Sequence, residues 1–248
     1  MLARARAATW MGFREQRRRP LLLILLIVVP VYVVTRSIAE TQGTPRQVTL
    51  PGDVLITTTM KELHGAIMAG TAIAFVAGLC GVFVLQSAFA GDRRLVVAGF
   101  RPGETVSARL AVLAADAALV VAVSLAATAF YFDPASWIRF TLAAALIALI
   151  YAPLGALFGA VLDKLAATYL MLFLVMTDLG IVQNPMFGTP GRWAVLLPGY
   201  GPTRVMMDGA YSARFHAAGD LALSLAWAGG LGVAVVLLLR RAVRGAGR

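Results

Sequence analysis

The sequence predicts an all-α membrane protein with six transmembrane helices, and three observations carry that prediction. The 248-residue chain is 60% hydrophobic and only 14% charged, whereas ordinary soluble chains are about 25% charged. Its mean hydropathy of +0.81 implies more apolar surface than a globule of this length hides, because small domains leave a large share of their area exposed. The apolar residues also fall into six blocks, each near the roughly 17 to 25 residues that cross a bilayer as a helix.

Residues 1–20 come first. Leu2, Trp10 and Phe13 interleave there with Arg4, Arg6, Arg14 and Arg17. That is the pattern of an interfacial helix, with aromatics in the acyl boundary and guanidinium groups at the phosphates. The same residues also fit a basic tail with no helix of its own. The first span, 21–35, is short and holds Pro30, which neighbouring helices can accommodate by re-satisfying the freed backbone groups. An Arg-rich start, an apolar run and Ser37-Ile38-Ala39 also resemble a cleavable signal peptide. The long basic region and Arg36 beside the site argue instead for an uncleaved span. The remaining spans are expected at 65–90, 109–132, 137–162, 165–182 and 220–239.

Charge sets the expected orientation. Segments 1–20, 91–109, 163–164 and 240–248 hold 15 of the 22 Lys and Arg residues, and the alternate segments hold 7. Lys and Arg stay with cytoplasmic loops, so both termini are expected in the cytoplasm of a multi-pass protein of the inner (cytoplasmic) membrane. The net charge of +10 and pI near 10.8 on a soluble domain would suggest nucleic acid. Here the basic residues sit at the ends of apolar blocks, where anionic membrane lipid is the partner, so no nucleic acid is expected.

The chain lacks the chemistry of an enzyme. It has no phosphate loop and no metal-ligand cluster, and its only histidines are His64 and His216, both expected in external segments. Cys80 stands alone, so no disulfide forms within the chain. Ser87, Ser124 and Ser224 have no His at membrane depth to activate them. Neither a catalytic residue, a metal nor a cofactor of the chain's own is expected.

Asp116 and Asp178 fall inside predicted spans, where a carboxylate costs about 2.5 to 3.5 kcal/mol on the insertion scale. Each fits either a buried structural partner or a contact for a proton or cation on a substrate path. Asp178, near the outer end of its span, is expected to matter more for transport than for folding, and the deeper Asp116 the reverse. Gly155 and Gly159 form a GxxxG pair in the fourth span, which serves a dimer contact or packing within the chain equally well. Gly229, Gly230 and Gly232 in the last span read the same way.

Two loops carry more information. Residues 91–108 place Arg93, Arg94, Leu95, Val96, Phe100 and Glu104 in one cytoplasmic segment. Apolar residues on a charged loop need cover. A short helix offering Leu95, Val96 and Phe100 to a partner protein, with Arg93, Arg94 and Glu104 at the rim, supplies it. Packing on the membrane surface or on the first helix is the alternative. The external segment 183–219 is long and apolar, and Pro185, Pro190, Pro198 and Pro202 cut it into short pieces. Short helices are expected at 190–197 and 202–211, each opening on proline, with Met206, Met207 and Tyr211 on an apolar side. They read as a shallow outer re-entrant hairpin capping the bundle.

This sequence of elements resembles a type-2 ABC exporter permease, the membrane subunit of drug-, lipid- and polysaccharide-exporting transporters. The resemblance covers the whole chain as architecture. Its motifs are the 91–108 loop, similar to the family's coupling helix, and Asn184-Pro185-Met186-Phe187 with Leu197-Pro198 and Pro202-Thr203-Arg204, similar to its outer re-entrant region. The first span is short for the family, and the large external domain of some members has no counterpart. The resemblance implies a separate ABC ATPase subunit that binds ATP and Mg, a second permease copy or a paralogous permease, and outward movement of a drug or lipid. Asp178, Asp116, Met206 and Tyr211 are then candidates for the substrate path. The rival reading is a proton-coupled secondary transporter or channel using Asp116 and Asp178.

Overall fold

Three of the main helices start at a side-chain cap that the sequence supplies. The computed structural model describes residues 9–14, 20–97, 102–188 and 190–245. In chain order the elements are α1 (9–14), α2 (Pro20–Glu40), β1 (Pro45–Thr49), β2 (Leu55–Thr59), α3 (Met60–Val97), α4 (Pro102–Ala129), α5 (Trp137–Val161), α6 (Lys164–Val175), α7 (Tyr200–Tyr211) and α8 (Ala218–Gly245). A seven-residue π-helical segment, Met176–Val182, extends α6, and short 3₁₀ turns occupy Pro185–Phe187 and Arg192–Leu196. At the head of α3 the Thr59 hydroxyl accepts from the Glu62 N–H at 3.2 Å, and the Glu62 carboxylate accepts from the Thr59 N–H at 3.4 Å and the Thr58 hydroxyl at 2.8 Å. That reciprocal pair is a capping box. Asp163 caps α6 by accepting from the N–H groups of Leu165 and Ala166, satisfying donors a helix start leaves open.

Among the described residues, five helices are long and apolar enough to cross a membrane: Met60–Gln86, Gly103–Ala129, Trp137–Val161, Lys164–Val182 and Ala218–Arg241. Their boundaries correct the sequence reading in two places. The expected coupling loop is not a separate short helix. Residues 91–97 prolong α3, and 102–108 are the opening turns of α4. The span expected at 109–132 accordingly begins earlier, at Gly103, and ends at Ala129.

α2 continues through Pro30 for 21 residues. Leu22, Leu26, Pro30, Val34 and Ile38 are all buried, and their spacing of four lays them along one stripe. That stripe packs on α3 and α4, and a Cβ at Gly65 would strike the Ile38 side chain. Burial at Pro30 explains the tolerance, because the neighbouring helices cover the turn it weakens.

The most buried helix is α3, and its chief neighbour is α5. Small residues set their separation. A Cβ added at Gly155 would overlap the Gly78 carbonyl, one at Gly81 the Ala152 carbonyl, and one at Gly159 the Val82 backbone. The GxxxG pair therefore packs α5 onto α3 within the chain, and side-chain-free backbone allows that approach. Gly229, Gly230 and Gly232 meet nothing within 4 Å, and α8 is the least buried of the five.

A β-hairpin follows α2, an element that the sequence reading does not predict. β1 and β2 pair antiparallel, Val48 opposite Ile56 and Thr49 opposite Leu55. Pro51-Gly52-Asp53 makes the bend, with Gly52 and Asp53 in left-handed conformation at φ 77° and 57°, which glycine and short polar residues adopt most readily. Val48, Leu50 and Pro51 are buried. A Cβ at Gly52 would lie 3.2 Å from His216, so the hairpin tip rests on the connection between α7 and α8. The hairpin, residues 130–136 and 183–217 gather at one end of the bundle. At the other end the Gln86 amide donates to the Leu162 carbonyl at 3.3 Å, and Gly12 of α1 lies against Val112 of α4.

Candidate functional site

The hairpin end of the bundle holds the strongest polar arrangement among the described residues, built around α7. This 12-residue helix is expected from 202, but opens two residues before Pro202, and nine of its residues from Gly201 to Ala210 are buried. The re-entrant reading placed it as a shallow cap. It is instead a core helix packed on α5 and α8. Burial obliges its polar groups to find partners inside the protein.

Asp208 on α7 is fully buried, and its carboxylate accepts from the Arg139 Nη1 at 2.8 Å and from the His216 N–H at 3.1 Å. The His216 Nδ1 lies 3.4 Å from the same oxygen and 3.2 Å from the Ser212 hydroxyl. Arg139, in the first turn of α5, also donates to the carbonyls of Ser212 (2.6 Å), Ala213 (3.3 Å) and Arg214 (2.9 Å). One guanidinium thus ties the start of α5 to the end of α7 and the turn beyond it. The planar fork of arginine suits this multiple role. Nearby, Arg204 pairs with Asp220 at 3.0 Å, joining α7 to α8 at a half-buried position.

The second network surrounds Asp178 in the π-helical segment. Its carboxylate is fully buried and accepts from the Tyr151 hydroxyl at 2.5 Å, the Gly199 N–H at 2.9 Å and the Gln183 side-chain amide at 3.2 Å. The Gln183 amide also reaches the Ala194 carbonyl at 3.4 Å. A Cβ at Gly199 would sit 2.8 Å from both carboxylate oxygens, so only glycine lets the backbone come this close. α5, the end of the Lys164–Val182 span and the start of α7 are joined at one side chain, and Gln183 adds the 192–196 turn. π-helical turns often mark places where a side chain must be re-aimed, and here the aimed group is Asp178.

Asp178, expected near the outer end of its span, has no exposed surface, and its carboxylate contacts three donors of the protein itself. Asp116 is buried on α4 near Cys80 of α3, in surroundings of its own. Met206 sits in the core against Gly70, between α3 and α5. Tyr211 is half-buried, with its ring 5.5 Å from that of Phe132. Met206 and Tyr211 thus share α7 with different neighbours, and Asp116 and Asp178 lie on different elements, α4 and the π-helical segment.

In the other expected site, Arg93, Arg94, Leu95 and Val96 form the end of α3, and Phe100 lies outside the described residues. Glu104, expected as a rim charge, is buried in the first turn of α4. The sequence reading missed Tyr151, Gln183, Arg139, Asp208 and His216. Arg139 and Asp208 carried a signal, since opposite charges at the edge of apolar segments usually pair. Among the described residues no group of three or more His, Cys, Asp or Glu is arranged to hold a metal. No protein-family model matches the chain, and no curated protein matches it.

Proposed function

We propose that this chain is the transmembrane permease subunit of an ATP-driven exporter that moves an amphipathic drug or lipid outward. In this reading α2 is the sixth span, both termini are cytoplasmic, and ATP and Mg belong to a separate ATPase subunit. A second permease copy or a paralogue completes the transporter. The supporting observation is the shape of α3. At 38 residues it extends ~57 Å, about 25 Å more than a hydrocarbon core requires. The extra turns are residues 87–97, which carry Arg93 and Arg94. The helix that forms the centre of the bundle thus also projects beyond it, so a push on its end reaches the α3–α5 seam directly. The absence of a phosphate loop from the sequence requires the drive to come from outside the chain. The sharp contrast between a projecting end and a polar-clamped end suits a machine driven at one end and gated at the other. A proton carrier, by comparison, needs a carboxylate with access to water, and Asp178 has none.

Topology is tested with single cysteines in a Cys80→Ala background. Ser212 is unsuitable because it is buried, whereas Thr44 and Ala213 are exposed. Cysteines at Thr44 and Ala213 are expected to react with an impermeant maleimide on intact cells, and one at Gly245 is expected not to. Labelling at 245 rules out the six-span arrangement.

The partner assignment is tested by co-purifying the ATPase and measuring substrate-stimulated hydrolysis. Phe100→Ala is expected to cost about 1 to 3 kcal/mol of association, a roughly ten- to hundredfold loss, because buried aromatic anchors carry most interface energy. Normal assembly and export in a combined Leu95→Ser, Phe100→Ser variant that inserts normally would end the assignment.

A further inference from the structure

The segment after the Lys164–Val182 span turns its large apolar side chains outward and its small one inward. In the turn Arg192–Leu196 the buried residue is Ala194, whose carbonyl is held by Gln183. Trp193 is 59% exposed, Leu196 77% and Phe187 71%. The segment is fixed from behind. Arg46 of β1 donates to the Met186 carbonyl at 3.3 Å, and the Asn184 side chain accepts from the Met186 N–H at 3.0 Å. In water such an arrangement forfeits the burial of three large apolar side chains.

We infer that residues 185–188 and 190–196 form a lipid-seated anchor, placed at the boundary between headgroups and acyl chains on the hairpin side of the membrane. Lipid is the occupant for two reasons. The preceding span exposes an apolar surface from Leu165 through Tyr169, Phe173 and Met176 to Ile181, so the anchor continues a lipid-facing strip along the chain. The exposed Arg192 beside Trp193 is the pairing that the headgroup boundary favours, with an indole at the interface and a guanidinium at phosphate. The anchor rests on the membrane-spanning reading of the five long helices. Its consequence is mechanical, since Gln183 links it to the Asp178 network and so to the start of α7.

The test uses the full chain in nanodiscs at one copy per disc, with lipids brominated at either a shallow or a deep acyl position. Two single-tryptophan proteins are compared, one keeping Trp193 and one keeping Trp227, with Trp10, Trp137 and the other tryptophan replaced by Phe. Trp227 lies midway along α8, so its quenching by deep bromine reports the membrane-spanning reading by itself. Trp193 is expected to lose most of its fluorescence to shallow bromine and little to deep bromine or aqueous iodide. If Trp227 is quenched and Trp193 responds to iodide instead, the segment stands in water and the anchor is overturned. If neither lipid nor iodide quenches Trp193, protein covers it and the lipid assignment is equally overturned. Failure of both tryptophans to respond to bromolipid removes the spanning reading beneath it.

Discussion

Gly155→Leu is expected to abolish the folded protein, while Gly229→Leu leaves it intact. Both glycines sit in apolar helices, and sequence inspection treats them alike. At Gly155 a side chain would run into the Gly78 backbone of α3, whereas nothing lies within 4 Å of Gly229. Overpacking usually costs about 1 to 3 kcal/mol by displacing side chains. Here the obstructing atoms are backbone of the most buried helix, so the whole α3–α5 seam must separate. A loss above ~3 kcal/mol is expected, a large part of the total stability of a domain. Cys80 supplies the readout, because it is the lone cysteine and is buried in the core on α3. Its reaction with a thiol-reactive dye on heating reports unfolding. The Gly155 variant should react at once at the lowest temperature, and the Gly229 variant at the temperature of the parent. Equal curves for the two would mean that the close packing of α3 on α5 is wrong.

Asp208→Ala is the second large effect. Its removal leaves the Arg139 guanidinium, only 16% exposed, without its counter-charge. Breaking a buried pair from one side typically costs about 3 to 5 kcal/mol, more than the pair contributes as a whole. Asp220→Ala, at the more exposed Arg204 pair, should cost under about 1 kcal/mol. The same Cys80 assay ranks them. Asp178→Asn belongs in the series, because an amide cannot accept all three of the hydrogen bonds that converge on this carboxylate. One unsatisfied donor costs about 1 to 3 kcal/mol. A parental unfolding temperature for Asp208→Ala would show that the Arg139 clamp is not formed. A parental temperature for Asp178→Asn would return that residue to the substrate path.

Where sequence reasoning worked, the signal was local. Five apolar segments became helices of spanning length, because a 1.5 Å rise and an unbroken apolar run leave the backbone one way to satisfy itself in lipid. The hairpin was equally local and was overlooked. Val48-Thr49, the Pro51-Gly52-Asp53 bend and Ile56-Thr57-Thr58-Thr59 are β-branched runs around a turn. The bounds of the coupling segment differ for another reason: charge beyond the bilayer does not end a helix, and α3 continues through Arg93 and Arg94 to Val97.

By itself the sequence determined that the chain is built of apolar helices, roughly where they lie, and that it brings no phosphate loop of its own. Only the tertiary structure decided what the isolated polar and small residues do. Asp178 meets Tyr151 27 positions away and Gly199 21 positions away, and Arg139 meets Asp208 at a separation of 69. Periodicity speaks for neighbours within a few turns of one helix. A buried carboxylate answers to whichever donors the fold carries to it, and a glycine to whichever backbone comes close. Both are settled when the helices pack.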